Sequence, residues 1–342
     1  MLTHAPTLQA HALSLRRTIG SQRSCLPRPE ADRLITAYMD SFNHINHIID
    51  RDTFQPEYER FWLTPETADA RLIIVLLLLL SIDLCSISTD ADFYGFHGSS
   101  ARDKASANIQ ACQDWLQARV PAFQTEADFH ISFLLLFACR VNARKYKQTW
   151  ANAGKVIRNF MCAGLHQDIS SPERHFSSKV KEARARLWAS IAEFELQASF
   201  EQGMPAPAWP QQATARAPKN IRNLDEDAEA DWSLPEFTPS SYLSYAGRSL
   251  LLRHCIVSRF HDHRCAMGFE ETQSLSEEIY QELEQLPQWT ESQAQLPNAL
   301  LTITLNQYLL ALHLKQARRA TTRTEQRIFP STRRLGSMSN RV

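Results

Sequence analysis

The stretch RLWASIAEFELQASFEQGMP, Arg186–Pro205, decides how the chain is read. At about 100° per residue, Val180, Leu187, Ile191, Phe194 and Ala198 fall on one stripe of a helix that starts upstream of it. Ala192, Leu196 and Phe200 sit well round the cylinder, and Lys179, Glu182, Arg186, Glu193 and Gln197 form the remaining, wet side. A helix apolar on two flanks is packed between neighbours and not laid on a surface. Gly203 followed by Pro205 predicts a firm stop, because glycine accepts the left-handed turn that closes a helix and proline cannot continue it.

Working outward, the same grammar recurs. RLIIVLLLLLSIDL, Arg71–Leu84, is apolar nearly all round, which places its helix at the centre of the core. Thr64 with Pro65 predicts the start of that helix. Thr149 predicts a cap for TWANAGKVIRNFMCA, in which Trp150, Ala153, Ile157 and Phe160 share a face and Gly164 closes the helix. Leu301, Leu305, Tyr308 and Leu312 make a further stripe. Glycine is scarce, with 9 residues in 342, valine is scarcer still, and no useful run alternates apolar with polar. The fold class expected is all-α: a large bundle of stacked antiparallel helices with no substantial sheet.

Hydrophobic residues make up 44% and charged residues 22%, enough for a real core. Lys+Arg and Asp+Glu are both 37, so no net field draws the whole chain to nucleic acid or membrane. The charge is unevenly spread, since Lys315, Arg318, Arg319, Arg323, Arg327, Arg333, Arg334 and Arg341 face one acid, Glu325. The seven cysteines, Cys25, Cys85, Cys112, Cys139, Cys162, Cys255 and Cys265, are odd in number and scattered, which suits reduced thiols in an intracellular protein. The start of the chain has no apolar core of signal-peptide type, and the longest apolar run, Leu72–Leu80, is far short of the ~20 residues that cross a bilayer.

Three groups invite a chemical reading. Glu195 lies at the edge of the apolar stripe with Arg184 and Trp188 on the same side. It reads as a general acid or base, or as a buried carboxylate bridging helices; no catalytic partner is visible, which favours the bridge. His44, His47 and Asp50 are spaced to share a helical face and to hold a metal, in a segment that also reads as a helix end and a turn. His254, Cys255, His261, His263 and Cys265 are a richer set, but Leu250, Leu251, Ile256, Val257 and Phe260 make their helix an ordinary amphipathic one. No phosphate-cradling, hydrolase or metalloprotease motif occurs. No catalytic, cofactor-binding or metal residue is assigned, and no cofactor is expected.

Local wording adds a resemblance. LPRPEADRLITAYMDSFNHINHIIDRDTFQPEYERFW from Leu26, FLLLFACRVNARKYKQTWANAGKVIRNFMCAGLHQD from Phe133 and RARLWASIAEFELQASFEQGMP from Arg184 resemble, in order, three blocks of the regulatory (middle homology) region of fungal zinc-cluster transcription factors. PKNIRNLDEDAEAD and SYLSYAGRSLLLRHCIVSRF resemble the loop and helix that follow, so the likeness covers about residues 26–312. It implies a nuclear regulator of a metabolic pathway, specialised metabolism among the candidates. It also implies protein partners, such as a homodimer or a heterodimer with a full-length regulator, and a small-molecule effector. The family's binuclear zinc cluster needs six closely spaced cysteines, whereas Cys25 is the only cysteine before Cys85. The expectation is a regulatory domain without its own DNA-reading module, and so no specific DNA binding by this chain alone and no membrane. The domain limits expected are a disordered segment at 1–25, the regulatory domain at 26–319 with an irregular proline-rich and acidic segment at 205–231, and a basic disordered tail at 320–342. The alternatives are a helical ligand-binding protein or enzyme working through Glu195 and the 254–265 group, or a truncated remnant.

Overall fold

The computed structural model describes residues 28–87, 100–118, 125–142, 146–168, 176–205, 207–211, 213–222, 235–262 and 267–328. Among them there is no strand; the fold is all-α, as the scarcity of valine and the lack of alternating runs predict. The expected segment at 1–25, residues 329–342 of the tail expected at 320–342, and the whole acidic run 225–231 lie outside the described residues.

The helices in order are α1 (Arg28–Asp40), α2 (Asn43–Asn46), α3 (Arg51–Leu63), α4 (Ala70–Ile87), α5 (Ser100–Gln117), α6 (Glu126–Asn142), α7 (Tyr146–Cys162), α8 (Ser178–Gln202), α9 (Ser241–His261), α10 (Phe269–Glu284) and α11 (Gln295–Ile328). The last of these crosses residue 320, the start expected for the tail. No described helix is long and apolar enough to cross a membrane.

The all-apolar α4 lies at the centre, packed against α1, α5 and α6. Ile74, Leu78, Leu79 and Ile82 are fully buried. Its start differs from the expectation. Pro65 fixes φ and opens only a 3-10 turn, Pro65–Thr67, which the extended Ala68 ends. Asp69 then caps α4, its side chain accepting from the Arg71 N–H at 3.3 Å and its carbonyl from the Ile73 N–H at 3.2 Å. Thr149 is likewise not a cap. Tyr-Lys-Gln ahead of it contains no helix breaker, so α7 begins at Tyr146 and Thr149 is buried in its first turn.

The predicted glycine stops are present. Gly164 (φ 72°) and Gly203 (φ 59°) are left-handed, and each closes the same paired motif. The N–H groups of Gly164 and Leu165 donate to Met161 and Phe160, and those of Gly203 and Met204 to Phe200 and Ser199. α8 forms a wall between two apolar cores. Leu187, Ile191 and Phe194 join the core around α4, while Leu196 joins the second core, built by Ile256 and Val257 of α9, Ile279 of α10 and Tyr308 and Leu312 of α11.

Candidate functional site

The side of α8 that the sequence presents as wet is covered. Glu182, Arg186, Ser190, Glu193, Gln197 and Glu201 step by three and four, and every one meets a polar partner from another element. Arg216 donates to Glu182 Oε2 at 2.7 Å and the Lys219 N–H to Oε1 at 2.9 Å. Glu182 is 0% exposed and Arg186 3% exposed, with the Arg186 Nε 3.4 Å from Glu182. Arg253 of α9 grips Glu193 with both terminal nitrogens, at 2.7 and 2.6 Å, and spends its remaining donors on Ser249 and the Ala246 carbonyl. Burial alone would lower the Arg253 pKa; the Glu193 charge outweighs it and holds the guanidinium above its ordinary value. These groups look exposed in the sequence because their covering residues come from 34 to 144 positions away.

His47 completes this seam. It ends α2 in the left-handed conformation (φ 42°), so the helical face expected for His44, His47 and Asp50 is broken there. Asp50 instead caps α3 through the Asp52 N–H, and His44 is buried against the Phe237 ring. Burial, then the Arg186 charge, pushes the His47 pKa well down, so the ring is neutral. The Arg186 Nη1 stands 3.4 Å from His47 Nε2 and Ser240 Oγ 2.9 Å from Nδ1. The arginine has only donors, so Nε2 accepts and Nδ1 carries the proton towards Ser240. The chain Arg186–His47–Ser240 thus ties α8, α2 and the start of α9 together.

Glu195 is buried on another flank of α8. Its Oε2 accepts from Trp209 Nε1 at 2.6 Å, and Trp209 stands edge-on to Trp188. Burial raises the carboxyl pKa, which the Trp209 bond and then the Arg158 charge oppose. Gly154 of α7 passes beneath: a β-carbon there would stand 3.6 Å from Glu195 Oε1. Arg184 turns away to the carbonyls of Gly164 and Ala163. In the third group, His254 faces the Pro207 carbonyl and both ring nitrogens of His261 face carbonyls, of Val257 and Gly203. Cys255 is exposed, and His263 and Cys265 lie outside the described residues. Among the described residues no set of three or more His, Cys, Asp or Glu side chains is arranged to hold a metal.

A cavity of about 580 Å³ opens between α3, α4 and the start of α6. Phe54, Phe61, Val75 and Ile131 make its apolar wall, Arg60 and Arg71 with Asp50, Glu57 and Asp69 give it lining charges of both signs, and His130 adds a polar ring. Burial lowers the His130 pKa to about 4, so the imidazole is neutral and offers one donor and one acceptor. No sequence motif marks this cavity, since its walls come from three helices whose inward residues simply read as core.

No protein-family model and no solved structure matches the chain. Curated proteins do. Over 283 residues, 78% of its length, the chain is 27% identical to "Transcription factor opdR" of Penicillium oxalicum, covering 34% of that protein. It is 29% identical over 224 residues to the "Zn(2)-C6 fungal-type transcription factor pigI" of Monascus ruber, 63% of this chain and 26% of that one. It is 23% identical over 217 residues to the "Fusarisetin A cluster transcription factor fsa6" of a Fusarium species, 59% of this chain and 28% of that one. The chain spans about a third of the length of the curated relatives it matches. Between 59% and 78% of the chain is therefore homologous to a region of these fungal transcription factors, proteins of the Zn(2)-C6 type among them.

Proposed function

We propose that this chain is the regulatory region of a nuclear fungal transcription regulator, with residues 26–319 as its working domain. It governs genes of a metabolic pathway, a specialised-metabolite cluster being the preferred target. The observation that carries this reading is the extended likeness to transcription factors, one of them named for a metabolite cluster. The polar groups of α8 support it from the physical side. They are tied pairwise to neighbouring segments, which suits a domain that transmits contacts more than one that turns over a substrate. The cavity lined by His130 is where we place the small-molecule effector. Its volume falls in the range of ligand pockets, and its apolar wall with one neutral hydrogen-bonding group and lining charges of both signs suits an amphipathic organic molecule.

Disruption of the gene in its host, followed by transcript profiling, tests the reading. A coordinated several-fold change in a contiguous set of genes is expected. A V75W chain, in which the indole fills the cavity, should retain that set's expression but lose its response to growth conditions. An unchanged transcript profile in the disrupted strain would overturn the proposal.

A further inference from the structure

The cavity of about 580 Å³ lies against one face of α3. Thr53, Phe54, Glu57, Arg60, Phe61 and Thr64 follow the three-and-four spacing of a single helical face, and all of them line the space. Phe54 and Phe61 are buried, whereas Glu57 and Arg60 are exposed. The helix therefore offers the cavity an apolar surface and, at its mouth, one anion and one cation a turn apart.

The five lining charges are not equivalent. Asp50 caps α3 through the Asp52 N–H, and Asp69 caps α4 through the Arg71 N–H. Arg71 leans on the buried Asp128, its Nε 3.4 Å from Oδ1. These three are engaged by their own helices. Glu57 and Arg60 are not: among the described residues neither side chain is paired with the other or with any third group. On open surface that would need no explanation. Here the two charges border a space whose opposite wall, Val75 and Ile131, is apolar. A molecule entering it buries its apolar part and keeps its charged part in water at the mouth. A ligand with one charge would be attracted by one member of the pair and repelled by the other, and a neutral one would use neither. A ligand that carries both charges matches both.

We propose that the cavity takes a zwitterion with large apolar side chains, an α-amino acid or dipeptide. Its ammonium meets Glu57, its carboxylate meets Arg60, and its side chains lie against Phe54, Phe61, Val75 and Ile131. The guanidinium suits the carboxylate because it can present two parallel N–H groups to it. His130 is neutral, so it adds no third charge to upset the balance and leaves a donor and an acceptor for the ligand's amide. The inference rests on the reading above that this cavity is the effector site.

Isothermal titration calorimetry of the full chain with leucyl-phenylalanine tests it. A dissociation constant on the order of 100 micromolar is expected. The N-acetyl form, which lacks the ammonium, and the C-terminal amide, which lacks the carboxylate, should each bind about fivefold more weakly at low salt, the scale of an exposed ion pair. Arg60→Gln should bind acid and amide alike, and Glu57→Gln should bind free and acetylated amine alike. Both residues are exposed, so both variants should melt as the wild type does. V75W should bind none of the three. Three forms that bind the wild type equally, and V75W not at all, would sink the zwitterion and leave the cavity as the effector site. Undiminished binding to V75W would remove the cavity from both readings. No heat from leucyl-phenylalanine at several millimolar, or selectivity unmoved in the two charge variants, would overturn the inference while the transcript profile still judges the function.

Discussion

The two cores on either side of α8 are held together by different physics. Around α4 the interior is a large apolar cluster: Ile74, Leu78, Leu79 and Ile82 share it with aromatic residues such as Phe133 and Phe160, and its buried carboxylates, Asp83 and Asp128, stand apart from any buried bidentate pair. Between α8, α9 and α11 the apolar cluster is smaller and is bordered by buried charge, with Arg253 fully buried against Glu193 and the ring of Tyr308. Apolar packing tolerates many solutions, whereas a buried bidentate ion pair tolerates one. The first region therefore supplies stability, and the second fixes how α9 and α11 sit on α8.

The sharpest way to break that contrast is to remove one member of the pair. Arg253→Met leaves Glu193 partly buried without its cation, and a loss of about 3–5 kcal/mol is expected in denaturant titration. The added change Glu193→Gln should recover most of it, because the unpaired charge, and not the missing contact, dominates the cost. If Arg253→Met costs less than about 1 kcal/mol, the pair does not organise the second region.

Leu78→Ala probes the apolar core. The side chain is fully buried, and about 3 kcal/mol should be lost through transfer and the cavity left behind. Combined with Arg253→Met, the two costs should add to within about 0.5 kcal/mol, since the sites share no partner. A markedly smaller sum would mean that the regions are coupled through α8 more tightly than the two clusters imply.

These regions were not equally legible. The apolar run of α4 and the Gly203–Pro205 stop of α8 announce themselves within a few residues, because helix period, glycine and proline act locally. The polar seam does not. Glu182 and Arg186 read as solvated, and nothing near them in sequence reveals that Arg216, Lys219 and His47 close over them. His44, His47 and Asp50 carry correct ligand spacing for a helix, but the left-handed turn at His47 ends that helix between them. The cavity above His130 is equally silent, since a residue facing a void and one facing a neighbour follow the same period.

The effect that is smallest in acid sets the apolar core against itself. Asp83 of α4 is 1% exposed, its Oδ2 has no hydrogen-bond partner among the described residues, and burial pushes its pKa from 3.8 up to about 7, with Arg33 acting the other way. Between those values the folded chain holds a proton that the unfolded chain has lost, so this group makes stability fall as pH rises. The lowered pKa values of His47 and His130 work oppositely. Below 6.5 the unfolded chain binds protons that the folded chain refuses, so their contribution falls as pH falls, towards about 4 for His130. The wild-type profile mixes the two slopes, and the informative quantity is the difference between it and Asp83→Asn. That difference should be small at about pH 4 and grow to roughly 4 kcal/mol in favour of the variant by about pH 8. Parallel profiles in urea titrations across this range would mean that water or a shifted partner already satisfies the carboxylate, and that the core around α4 is less dry than its packing implies.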